Sequence, residues 1–184
     1  CFIDEIDIDE MPIVDVEYIF LKLRATSVEN LVTLKIQDDE DGKYYDIEYD
    51  LNEAVVVFDP NHTNKIPLNE SVTLIMKYPS FKMIDKMFYF SKIGIGFNDV
   101  VNIISLCVDK VVNGDEVLLL DDFSENEVTE FIESFTSKNM RDIEGFFNSL
   151  PSLRAQVTYA TPNGAKTKEV VGLQSFFTSW CRIT

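Results

Sequence analysis

The 184 residues are 46% hydrophobic with a mean hydropathy of −0.01, which fits a folded chain, one domain of moderate size or a compact body with a small appendage, and argues against disorder. With 32 acidic residues against 16 basic, the formal net charge is −16; this opposes nucleic-acid binding, because phosphate contact needs concentrated Lys and Arg, and it fits a soluble, self-repelling surface while permitting a basic protein partner. Three widely spaced cysteines (Cys1, Cys107, Cys181) without a C-x-x-C pair read as a reducing compartment rather than a disulfide framework.

The opening "FIDEIDIDE" is acidic with spaced isoleucines and reads as a tail over residues 1–11. From 12 to 80 a helix and antiparallel strands are expected. Ile13, Val16, Phe20 and Leu23 form one helical face, with Pro12 suited to the first turn. Val32, Leu34 and Ile36, then Tyr45, Ile47, Tyr49 and Leu51, alternate with polar residues around "DDEDG" (Asp38 to Gly42), which predicts an antiparallel hairpin with one wet face. "AVVVF" (Ala54 to Phe58) suits a short covered strand, "DPNHTNKIP" a loop, and Val72, Leu74 and Met76 a further strand stopped at Tyr78-Pro79.

The period turns helical from 81 to 150. Phe81, Ile84 and Phe88 share a face, and Gly94 and Gly96 punctuate the chain. Asn98 or Asp99 can cap a helix whose buried stripe is Val100, Ile104, Cys107 and Val111. Ser124 to Glu127 fits a capping box ahead of Val128, Phe131, Ile132 and Phe135. A last helix of this group carries Met140, Ile143, Phe147 and Leu150 and ends at Pro151. From 151 to 184 a hairpin turns at Pro162-Asn163-Gly164, with Leu153, Ala155, Val157 and Tyr159 on one face, and a terminal helix carries Leu173, Phe176, Phe177 and Trp180. The segregated order predicts an α+β fold, antiparallel hairpins around a central group of helices in one compact domain.

Catalytic signals are weak. His62 is the single histidine and has no nucleophile motif near it, so it reads as a loop histidine. Without Cys pairs or a second His, zinc would need an all-carboxylate cage. "DDEDG" lacks the spacing of a calcium loop and reads as an exposed acidic tip, and "GIG" (Gly94 to Gly96) lacks a third glycine at dinucleotide spacing. No catalytic residue, cofactor, metal or small-molecule substrate is expected. Longer apolar runs, such as Ile93 to Val108, are broken by Asn98, Asp99 and Asn102 and fall short of the ~20 residues of a membrane span. A first residue Cys1 fits a trimmed chain or, as the alternative reading, a processed lipid-anchored or peripheral binding protein.

The phrases "MPIVDVEYIFLKLRATSVEN", "NKIPLNESVTLIMKYPS", "DDFSENEVTEFIESFTSKNMRDIEGFFNSLPSLRAQVTY" and "VVGLQSFF" occur in the order and with the gaps of one family. Together they resemble the baseplate hub proteins, or hub assembly chaperones, of T-even-like contractile-tailed phages. The resemblance implies a non-enzymatic role, phage hub and tail proteins as partners, and a location in the virion baseplate or in the host cytoplasm during assembly. It also implies relatives with Cys pairs at the two hairpin tips, like zinc-ribbon knuckles. Here "IQDDEDGKY" and "YATPNGAK" hold no Cys. Aromatic residues near element ends make two partner surfaces the expectation, the "KYPSF" corner (Tyr78, Pro79, Phe81) and the terminal stripe (Leu173, Phe176, Phe177, Trp180), although the terminal stripe equally suits a helix that closes the core.

Overall fold

A computed structural model describes residues 6–83 and 97–177. Helix α1 (Ile13–Ser27) is followed by strands β1 (Leu31–Gln37), β2 (Tyr44–Asp50), β3 (Val55–Val57), β4 (Lys65–Pro67) and β5 (Val72–Met76). Helix α2 (Phe97–Cys107) runs directly into β6 (Val108–Asn113), and β7 (Glu116–Leu118) precedes helices α3 (Glu125–Glu133) and α4 (Ser137–Asn148). Strands β8 (Ser152–Thr161) and β9 (Gly164–Val171) lead to the short helix α5 (Leu173–Phe177). Every strand pairing among the described residues is antiparallel, and the fold class is α+β, as the segregated patterns predict. The expected helical positions Ile84 and Phe88, the glycines at 94 and 96, and Cys1, Trp180 and Cys181 lie outside the described residues.

The chain divides into two compact units, Cys1–Ile13 with Asp59–Leu150, and Val14–Phe58 with Pro151–Thr184. In the first, the sheet runs β4-β5-β6-β7 and its core holds Leu74, Met76, Ile104, Ile132, Ile143 and Phe146. The capping box at the start of α3 forms as predicted: the Ser124 side chain accepts from the Glu127 amide, and Glu127 reaches back to Ser124. A second box, Thr136 with Asn139, opens α4 and was not foreseen, because Asn replaces the usual Glu or Gln.

The predicted helical stripe through Val111 is corrected here. The helix stops at Cys107, and Val108–Asn113 is a strand paired with β5. Ile75 pairs with Lys110 while the next residue, Met76, pairs with Val108, so Asp109 is the extra residue of a bulge. The bulge puts Val108 and Val111 on the same buried side, and a spacing of three then mimics a helix in the sequence.

The second unit holds the two-stranded sheet β1-β2 and the three-stranded sheet β3-β8-β9. Its core contains Leu21, Leu34, Leu51, Leu153, Val157 and Phe176. Both predicted hairpins form, and Leu153, Ala155, Val157 and Tyr159 are all buried. Two expectations are corrected. The inner face of α1 is centred on Leu21, flanked one turn away by Glu17 and Ala25, whereas Phe20 and Leu23 of the predicted stripe are half exposed. The strand β3 is an edge strand with Val55, Val57 and Phe58 exposed, so only Ala54 and Val56 turn inward. The second hairpin reverses at the predicted tip, where Pro162 and Asn163 keep negative φ and Gly164 is positive (φ 123°).

Candidate functional site

His62 Nδ1 lies 2.8 Å from Ser149 Oγ, close enough for a histidine to serve as base to a serine. Ser149 is also the C-cap residue of α4, and its hydroxyl donates to the Gly145 carbonyl at 2.7 Å. A hydroxyl has one proton. With that proton on the carbonyl, Oγ accepts from His62 Nδ1–H, the reverse of the polarity an activated nucleophile needs. The imidazole packs between Tyr78 and Phe146, with ring centroids 5.4 and 5.2 Å away. His62 therefore ties its loop to the end of α4. Its Nε2, with Ser80 Oγ, is a buried polar atom without a hydrogen-bond partner among the described residues.

The acidic tip is not uniformly exposed. Asp38 is 1% exposed, and its carboxylate accepts from Lys166 Nζ at 3.0 Å on both oxygens, from Tyr159 Oη at 2.9 Å, and from the amides of Glu40 and Asp41 at 2.9 and 3.1 Å. Lys166 also meets Glu40 at 2.7 Å, and Lys168 meets Asp39 at 2.8 Å and the Gln37 carbonyl at 2.9 Å. Tyr159 and Lys166 are directly opposed in the β8–β9 register, so one cross-strand pair of the second hairpin grips the tip of the first. The Lys166 ammonium, with the amides and the phenol, holds Asp38 well below the usual carboxylate range, and Glu40 and Asp38 push Lys166 up. This clasp was missed in the sequence. The available signal was a Lys across the strands from an inward-facing Tyr, beside a tip rich in Asp.

These residues do not fit a metal centre. The position between the tips is filled by a lysine ammonium, and Asp38 has its acceptor sites occupied. No group of three or more His, Cys, Asp or Glu among the described residues is arranged to hold a metal ion.

The KYPSF corner is braced by an antiparallel contact with the N-terminal segment: the Ile13 amide donates to Pro79 O at 3.1 Å, the Phe81 amide to Met11 O at 2.9 Å, and the Lys82 amide to Asp9 O at 3.1 Å. Lys82 also pairs with Glu10. Within the corner Tyr78 is half-buried, Pro79 is buried, and Phe81 is 38% exposed. In the terminal stripe Phe176 is 1% exposed and stacks on Tyr49, with ring centroids 5.9 Å apart, and Leu173 packs against the same core. The start of α5 is pinned by Glu17, whose Oε1 accepts from the Leu173 amide at 3.1 Å; burial pushes the Glu17 carboxyl up. The Phe177 side chain and Trp180 lie outside what is described. The two predicted surfaces fall in different units.

The sequence model of the T4 bacteriophage base plate protein family matches residues 1–178. The chain belongs to that family. None of the curated proteins or solved structures compared with it matches. As a base plate protein it has a structural role in the phage tail, with phage tail proteins as its partners. Among the described residues of this base plate protein, no helix is long and apolar enough to cross a membrane.

Proposed function

We propose that this base plate protein is a non-enzymatic subunit or assembly chaperone of the baseplate hub of a contractile tail, working through protein–protein contacts. The observation that carries this reading is the collinear set of phrases running from Met11 to Phe177, which resembles the hub group within the wider family. The exposed ring of Phe81, set on a corner whose backbone is pinned on both sides, offers a preorganised apolar anchor for a hub partner. On the terminal stripe Phe176 is buried in the core with Leu173 packed against it, so neither is offered as a contact residue.

Quantifying the protein in purified mature particles and in hub intermediates from infected cells tests the proposal. A fixed copy number in particles identifies a structural hub subunit. Presence in hub intermediates but not in particles identifies a chaperone. Cross-links confined to baseplate proteins outside the hub would overturn the hub assignment. Phe81→Ser is expected to fold normally and to lose hub association.

A further inference from the structure

Within the unit built from β4 to β7 and α2 to α4, an apolar groove of about 470 Å³ opens between the β6–β7 hairpin and α3. It is lined by Val111, Leu118 and Leu120 on one side and by Phe123, Val128 and Phe131 on the other, with Glu127 and Glu130 among the remaining lining residues. That volume lies within the roughly 300–1,000 Å³ range of binding pockets. The apolar surface continues past the groove, since Val117 is 59% exposed, Leu119 46% and Phe123 40%. The strand β7 is also the outer member of its sheet.

The segment that supplies the groove lining is strongly acidic. From Val111 to Phe135 the chain has eight Asp and Glu residues and no Lys, Arg or His, half of its net charge of −16. All eight are exposed, and among the described residues none makes an ion pair. Glu127 has its carboxylate engaged at the α3 cap. Crowded like charges repel one another, and exposed apolar side chains beside them gain nothing from water. One occupant relieves both.

We infer that this groove docks a basic amphipathic segment of a partner protein, whose bulky apolar side chains enter between β7 and α3 while its Lys and Arg face the acidic rim. A second copy of this chain would bring the same excess of negative charge and is the poorer occupant. The inference goes beyond the hub reading and stands whichever tail protein carries the segment.

Calorimetric titration of the full chain with two synthetic helical peptides tests it. One peptide has Leu on one face and Lys on the other, and its counterpart has Glu in place of Lys. The Lys peptide is expected to bind, more weakly as salt rises, and the Glu peptide not to bind. Combining Asp121→Asn, Asp122→Asn, Glu130→Gln and Glu133→Gln should weaken binding by about tenfold, as should Leu119→Ala with Phe123→Ala. Neutralising four exposed acids elsewhere in the chain (Glu48, Glu53, Glu70 and Glu144) to Gln should leave it nearly unchanged. Equal weakening by both neutralised sets would reduce the effect to net charge and overturn the docking site. Equal binding of the two peptides, or binding of neither, would overturn it too. Self-association lost in the groove variants would give the groove to a second copy and overturn the choice of partner.

Discussion

Asp38 is a carboxylate almost removed from water, with an ammonium, a phenol and two amides directed at it. Its folded-state pKa is depressed, so its contribution to stability is full above the unfolded value near about 3.9 and is lost as pH falls through the folded value. The Lys166 pKa is raised, so its share is full below about 10.4 and is lost as pH rises through the folded value. Asp38→Asn should therefore unfold at lower urea concentration than the parent above about pH 4, with the gap closing on acidification. A gap of the same size at acid and neutral pH would show that the clasp acts through shape alone. Cys107 supplies a second check at this scale. Burial raises its thiol pKa to about 11, so at neutral pH it should resist thiol reagents in the folded protein and react once urea is added, as read by peptide mass mapping. Labelling of folded protein at the rate of a free cysteine would contradict the buried position.

Among the elements, those with their own local signals were legible and those shaped by neighbours were not. The α3 start was readable because Ser124 and Glu127 close a box within four residues, independent of anything distant. The same physics opens α4 with Thr136 and Asn139. Ser124→Ala and Thr136→Ala should each lower stability by about 0.5–2 kcal/mol, measured by urea unfolding. No loss in either variant would remove the caps from the account. By contrast, the strand after α2 exists because β5 offers it a partner, and a bulge at Asp109 disguises its period. In α1, Phe20 and Leu23 looked like the inner face, but Leu21 took it, because Glu17 one turn earlier is held inside by the Leu173 amide. A polar residue on the buried face defeats a reading based on hydrophobic spacing.

On the scale of the molecule, two hydrophobic clusters form among the described residues, and they share no member. Phe146 anchors one and Leu153 the other, both nearly inaccessible to water. Phe146→Ala should cost about 3–5 kcal/mol and Leu153→Ala about 2–5 kcal/mol. Because the two belong to clusters that share no buried residue among those described, the losses should add to within about 0.5 kcal/mol in the double variant, as determined by urea unfolding. A markedly smaller or larger sum would reveal coupling between the clusters.

The amino-acid order by itself determined the α+β class, both hairpins with their buried faces, the first capping box and the collinear phrases that point to a phage baseplate. The structural features rest on short-range periodicity or on residues close together in the chain, and the phrases rest on their resemblance to a family. Only the tertiary structure decided that Asp38 is gripped by Tyr159 and Lys166 more than a hundred positions away, that His62 meets Ser149, and that Phe176 lies in a core. It also decided that Val111, Phe123 and Phe131 line one acid-rimmed groove. Those outcomes depend on which distant segments meet, and no local pattern encodes that.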